Sequence, residues 1–336
     1  MKNKKYFIII LVAVLLVGGL FYFRNKIYYS HGSREDGKSF EIKKGEGSAE
    51  IAEKLKADGL IAGKLYFYYY VQSHKLKSKI MPGVYSLSGN MTIPEIAQII
   101  TNPESQFIKI TFPEGFTAEQ MAERLTENNL DGKGFFEIVK NPGEFKKRYS
   151  YLTPENVETL EGYLFPDTYF FKPETSAENI VGRLLDTFDQ RLSDQMRDDI
   201  NEQEKSVNEI VIMASIVERE VQVASDMKIV SGIFWNRIKN EQRLQSDAPL
   251  SYILNDKEDQ HSGEDLELDS PYNTYRYAGL PPGPISNPGL NALTAAVYPK
   301  DSSYNYFLTV SVDGEKKVIF SRTFDEHKTN RQKYGI

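Results

Sequence analysis

Two glutamates near the end of an apolar stretch, Glu218 and Glu220 in SVNEIVIMASIVEREVQ (206–222), are well placed for acid–base chemistry. A carboxyl donates a proton near neutral pH only where its surroundings disfavour the carboxylate, and apolar burial does that. The stretch reads as a helix starting at Ser206, whose partner Glu209 three residues on makes a capping box. Ile210–Val217 is apolar nearly all the way round, the pattern of a core helix. At about 100° per residue, Glu218 lines up with Val207, Val211, Ala214 and Val221. Glu220 faces the opposite side, with Glu209, Met213 and Ile216. Glu218 thus sits on a stripe with no other charge, at the negative end of a helix, and a raised pKa is expected. These residues support two readings: a general acid, or a carboxylate paired with a basic residue at the helix end.

Further polar residues lie in Pro-rich segments, the first an aromatic-rich strand or loop that does not suit the middle of a sheet. Glu161-Gly162-Tyr163-Leu164-Phe165-Pro166-Asp167-Thr168-Tyr169 sets Glu161 and Asp167 among apolar neighbours. Residues 271–289 hold Tyr272, Asn273 and Thr274, then a run of prolines and glycines whose φ angles are narrowly fixed. A long rigid loop of this kind either lines a cleft or serves as a structural crossover. Gln245 and Asp247 precede a short helix containing Tyr252.

The composition excludes several chemistries. The chain has 336 residues and a net charge of −6, which argues against nucleic acid as a partner. There is no cysteine, hence no disulfide framework, thiolate metal site or cysteine nucleophile. The four histidines (His31, His74, His261, His327) are widely separated, so neither a metal nor any other cofactor is expected.

The elements that must hold these residues begin with an anchor. Tyr6–Phe23 is an unbroken apolar run of 18 residues with aromatics at both ends, just long enough to span a bilayer. Lys2, Lys4 and Lys5 precede it and no small-x-small cleavage site comes after it. An uncleaved single-pass anchor with a cytoplasmic N-terminus is expected, the remainder lying outside the cytoplasm at the cell membrane. The expected order is a cytoplasmic tip and anchor (1–27), a linker (28–38), an αβ domain (39–150) and a mixed, helix-rich αβ domain (151–336), an α+β chain as a whole. Ile42–Gly47 followed by AEIAEKL (49–55) is echoed by Ile110–Gly115 followed by AEQMAERL (118–125), a strand, Gly turn and helix used twice. Residues 176–203 read as one amphipathic helix, and 225–240 as another capped by Ser225. The C-terminus reads as a helix (290–297), a hairpin turning at 312–315 and a last helix (324–334).

ASIVERE (214–220), LEGYLFPDTY (160–169), RLQSD (243–247) and SPYNTYRYAGLPPGPISNPG (270–289) together resemble the endolytic murein transglycosylases of the MltG or YceG-like type. The resemblance covers roughly residues 40–330. It implies a membrane-anchored lytic transglycosylase that cleaves the MurNAc-β-1,4-GlcNAc bond inside nascent peptidoglycan strands. The products would carry 1,6-anhydro-MurNAc ends, and strand length would be limited. The repeat resembles LysM modules, which bind N-acetylglucosamine polymers; a platform without its own sugar site is the equal alternative. Within the family motif the first Glu is the catalytic acid/base, which falls on Glu218. Gln245, Asp247, Tyr272, Asn273 and Thr274 are the expected sugar contacts, and Glu161 and Glu220 the supporting carboxyls. The family also implies penicillin-binding proteins and glycan polymerases as neighbours. Two departures stand out: Arg219 replaces the usual Lys, and Ala248-Pro249 stands where a Thr is common. Alternative readings are a hydrolase with Glu161 or Asp247 activating water, and a non-catalytic glycan-binding scaffold.

Overall fold

A computed structural model describes residues 2–31, 38–103, 107–152, 157–255, 261–312 and 315–335. Among them the chain is a helix-rich α+β protein with a long apolar helix at its N-terminus. It divides into two units, Met1–Lys109 with Tyr169–Glu174, and Ile110–Thr168 with Thr175–Ile336.

In the first unit, α1 (Lys2–Tyr28) contains an 18-residue apolar window of mean hydropathy 2.7. The helix outlasts the 18-residue apolar run because its last turns have a protein surface to pack on. Ile27 is 3% exposed and joins a core with Phe40, Ile51, Leu55, Phe67 and Val71. The expected linker thus begins later than Tyr28: a His31 ring nitrogen lies 3.1 Å from the Asn25 carbonyl, a capping contact at the helix end. Residues 32–37 of that linker lie outside the described residues.

Next in the chain come β1 (Lys38–Ile42), α2 (Ser48–Ala57), α3 (Lys64–Ser73), β2 (Gly83–Leu87) and α4 (Ile93–Ile100). β1 and β2 pair antiparallel with Phe40 opposite Tyr85. Phe40 and Ile42 are buried while Ser39 and Glu41 are exposed, as strand alternation requires. The aromatic stretch after Gly63 is α3, a helix because Phe67 and Val71, four residues apart, both reach the core. A Thr92–Glu95 capping box starts α4.

A strand, helix, helix and strand recur in β3 (Ile108–Thr111), α5 (Ala118–Glu127), α6 (Gly132–Lys140) and β4 (Thr168–Phe171), with a short α7 (Phe145–Arg148) inserted before the second strand. The two copies agree in their turns, with Gly45 at φ +91° and Gly115 at φ +77°. They also share helix endings. Leu60 N–H donates to the Leu55 carbonyl and Leu130 N–H to the Leu125 carbonyl, both at 2.9 Å. Gly59 and Asn129 take the intervening left-handed position, giving a Schellman ending in each copy. The repeat is therefore longer than the strand, turn and helix evident from the sequence. The unit boundary falls inside the expected 39–150 domain, at Lys109–Ile110 within β3. Within the second unit, Leu160 N–H donates to the Val139 carbonyl at the end of α6, tying the second copy to the Glu161–Asp167 segment.

The rest of the second unit comprises α8 (Ala177–Arg191), α9 (Asp194–Glu202), α10 (Val207–Glu220), α11 (Ala224–Lys239), α12 (Ala248–Leu254), α13 (Gly263–Leu266), α14 (Leu290–Val297), the β5 (Tyr306–Val312)/β6 (Glu315–Ser321) hairpin and α15 (Phe324–Tyr334). The single helix expected over 176–203 is two: the chain leaves helical geometry at Leu192, and Ser193 Oγ accepts from Met196 N–H to start α9. α11 begins one residue early, at Ala224, with Val223 rather than Ser225 at its cap. The hairpin forms as expected, although Asp313 and Gly314 of its turn lie outside the described residues. α10 is the centre: Ile210–Val217 is buried throughout.

Candidate active site

α10 starts with the expected capping box between Ser206 and Glu209, a feature worth about 1 kcal/mol. It stops at Glu220, because Val221 is extended at φ −143°. The last turn is braced by the Pro/Gly loop. Ile285 N–H donates to Ser215 Oγ at 3.1 Å, and Ser286 Oγ donates to the Ser215 carbonyl at 3.1 Å. Three residues on, Gly289 N–H donates to Glu218 Oε2 at 2.9 Å. Gly289 caps α14, so the carboxyl of Glu218 receives an amide from that helix's N-terminus.

A third segment completes this corner. A Cβ on Gly289 would stand 1.9 Å from Glu114 Oε1, and one on Gly115 would stand 3.5 Å from Glu218 Cγ. Gly115 is at φ +77°, a left-handed conformation that favours glycine, and its close approach to Glu218 is an ordinary van der Waals contact. Gly115 N–H donates to the Asn287 carbonyl at 2.9 Å, which fixes residues 114–115 against the loop. The Glu218 carboxyl is pushed up to about 7, chiefly by burial. The Gly289 amide pulls the other way and the Glu114 charge raises it further. The sequence-expected direction therefore holds, with burial as its main cause.

Glu161 lies in a buried hydrogen-bond network with Ala118 and Asn287. It is 6% exposed, and both its oxygens accept from Ala118 N–H, at 3.1 and 3.0 Å. Its Oε1 also accepts from Asn287 Nδ2 at 2.7 Å. Burial pushes it up to about 7, against those hydrogen bonds. Asn287 is fully buried and holds four neighbours. Its Oδ1 accepts from Gly162 N–H (2.9 Å) and Leu164 N–H (3.0 Å), and its Nδ2 donates to the Phe116 carbonyl (3.0 Å) and to Glu161. Glu161 thus caps the start of α5 and anchors the loop, with both oxygens engaged.

Glu220 turns to other partners, as its opposite helical position implies. It accepts from Ser246 Oγ and is pushed up to about 7, mainly by burial. Thr274 Oγ1 accepts from Ser246 N–H and donates to the Ser246 carbonyl, both at 3.0 Å. Asn273 donates to the carbonyls of Leu266 (2.9 Å) and Leu268 (2.8 Å) and accepts from Tyr275 N–H (3.0 Å). Asn273 and Thr274, two of the expected sugar contacts, are 0% and 2% exposed, and their side chains hydrogen-bond to backbone of nearby segments. Gln245 is exposed at φ +51°, Asp247 is half-buried and accepts from Tyr275 OH (2.9 Å), and half-buried Tyr272 lies 5.7 Å from the Tyr252 ring. Pro249 sits in the first turn of α12, where its missing N–H costs no hydrogen bond.

Glu114 was missed by reading the sequence. Its segment gave only the repeat signal, and nothing local shows that Phe112–Gly115 meets residues 175 positions later.

The YceG-like family model matches residues 40–333. A Bacillus subtilis (strain 168) protein named endolytic murein transglycosylase is 31% identical over 335 residues, covering 95% of this chain and 91% of that one. A Streptococcus pneumoniae (D39) protein of the same name is 27% identical, covering 96% of this chain and 63% of its own length. The crystal structure of a yceG-like protein from Listeria monocytogenes is similar at TM-score 0.63 and 32% identity, over 88% of this chain and 98% of that one.

Proposed function

The chain belongs to the YceG-like family, and on that premise we propose that it is a membrane-anchored, endolytic lytic transglycosylase of peptidoglycan. The observation that carries this reading is the half-buried Glu218 carboxyl, raised to about 7, beside the exposed Glu114 carboxylate. The bond broken is the β-1,4 linkage from MurNAc to GlcNAc. Protonated Glu218 gives its proton to the glycosidic oxygen as the C1–O bond breaks. The muramic acid C6 hydroxyl attacks C1, and the Glu218 carboxylate takes the C6 proton. No water is consumed and a 1,6-anhydro ring results, so a second catalytic carboxylate is not required. Gln245, Asp247 and Tyr272 contact the sugars, and Glu220 supports them by holding Ser246. α1 is the anchor, with the N-terminus in the cytoplasm and the chain beyond α1 outside. The strand–helix–helix–strand part of the first unit is read as a LysM-like module that binds glycan. Cleavage within strands limits their length beside the glycan polymerases and penicillin-binding proteins.

Long purified glycan strands test this. Products of intermediate length are expected before disaccharides accumulate; strands left at their original length would favour the glycan-binding scaffold.

Hydrolysis is a second reading, favoured by one observation: Glu114 is an exposed carboxylate near enough to raise the Glu218 carboxyl, and it is available to activate water. In either reaction Glu114 helps keep Glu218 protonated. Glu114→Gln removes a charge that raises Glu218, so the acid is lost at lower pH. The alkaline limb of a kcat/KM profile, expected near pH 7 in the parent, should shift downward in the variant. An unmoved limb would show that Glu114 is electrostatically idle.

A further inference from the structure

α1 and α3 meet at a depth that places part of α3 in the membrane surface. Phe23 is 17 residues beyond Tyr6, about 25 Å along a helix, so a bilayer core of about 30 Å begun at Tyr6 still encloses it or ends beside it. The Phe23 ring meets Tyr66 and Tyr69 of α3 edge-on, each at 5.1 Å between centroids. One turn further out, Tyr28 meets Tyr70 at 6.2 Å. α3 has two sides. Phe67 and Val71 are fully buried in the core of the first unit. Leu65, Tyr68 and Tyr69, at the three- and four-residue spacing of one helix face, are 69%, 39% and 54% exposed. Exposed Lys75, Lys77 and Lys79 come directly after.

We propose that the exposed face of α3 is a membrane-docking surface that seats the first unit on the extracytoplasmic leaflet. Leu65, Tyr68 and Tyr69 enter the boundary between headgroups and acyl chains, and Lys75, Lys77 and Lys79 meet anionic lipid phosphates. Continuity identifies the occupant: the same helix already touches α1 at membrane depth, where tyrosines with an apolar body and a polar tip are favoured. Basic residues at an anionic surface add attraction. The contact also restrains tilting of the unit about the end of α1, which a single flexible tether would permit. The proposal rests on α1 being a retained transmembrane anchor.

The chain has no cysteine, so single spin labels report position without background. The full-length protein in nanodiscs containing phosphatidylglycerol, labelled through Leu65→Cys or Tyr68→Cys, should show greater accessibility to oxygen than to a water-soluble nickel complex. A label through Glu50→Cys, exposed on α2, should show the reverse. Leu65→Cys and Tyr68→Cys labels with the aqueous signature of Glu50→Cys would overturn the proposal. A Leu15→Cys label separates the two readings: buried in lipid, it leaves the anchor intact whatever α3 does, whereas an aqueous signature there removes the anchor and the docking with it.

Discussion

Glu218→Gln is expected to fold, bind glycan strands and cleave them at least about 10²-fold more slowly, the usual range for a lost general acid reaching about 10⁴. Glutamine matches the protonated carboxyl in shape, and its carbonyl oxygen can still accept from Gly289 N–H. Because burial is the main cause of the raised pKa, the neutral side chain also removes a desolvation cost. The melting temperature of the variant should therefore equal or exceed that of the parent, most visibly above pH 7. The sign comes from the raised value: the folded state holds a proton that the unfolded chain releases near 4.5, so stability from this group falls as pH rises from there to about 7. Turnover and strand binding measured side by side check both parts. Parent-level turnover in the variant would exclude Glu218 as the acid.

Asn287→Ala is the substitution with the largest expected structural effect. Its side chain holds two amides, a carbonyl and Glu161, all buried or partly so. Removing it leaves those groups without their partner, at roughly 1–3 kcal/mol for each group left unsatisfied. Allowing for relaxation, a loss of roughly 3–5 kcal/mol is expected, or a melting temperature lower by about 6–20 °C for a unit of this size. Activity should fall with it even below the new melting point, because the same loop carries Gly289 to Glu218 and holds Gly115 in place. Asn287→Asp keeps the shape but puts a second carboxyl against Glu161. Its deficit should be larger at pH 8 than at pH 5, where protonation relieves the pair. Thermal unfolding at the two pH values reads this directly.

What the sequence made legible was what local chemistry decides. The Ser206–Glu209 box and the unbroken apolar run to Val217 are features of a dozen neighbouring residues, and α10 forms as they dictate. The opposite helical positions of Glu218 and Glu220 likewise stem from the helix period, and the two find different partners. The proline-rich loop was recognisable as rigid, and it does run beside the end of α10. Which of its polar residues faces outward was not legible. Asn273 and Thr274 are committed to the carbonyls of Leu266 and Leu268 and to the backbone of Ser246, partners that no periodicity points to. Glu161 is the same case, since Ala118 and Asn287 lie 43 and 126 residues away. The break between α8 and α9 was hidden because buried Leu192 and Met196 continue the apolar rhythm across it. Ser193 was the local signal, a cap with its acceptor aimed at Met196. The unit boundary could not be placed from the repeat, since it falls inside a strand, β3, that the repeat treats as one element.

One protein carboxyl suffices, on the reading proposed, because the substrate supplies its own nucleophile. The most direct test is mass spectrometry of the new ends formed when the protein digests purified glycan strands in ¹⁸O-labelled water. The expected result is 1,6-anhydro-MurNAc ends that carry no ¹⁸O. Reducing MurNAc ends labelled with ¹⁸O would contradict it and make the protein a hydrolase.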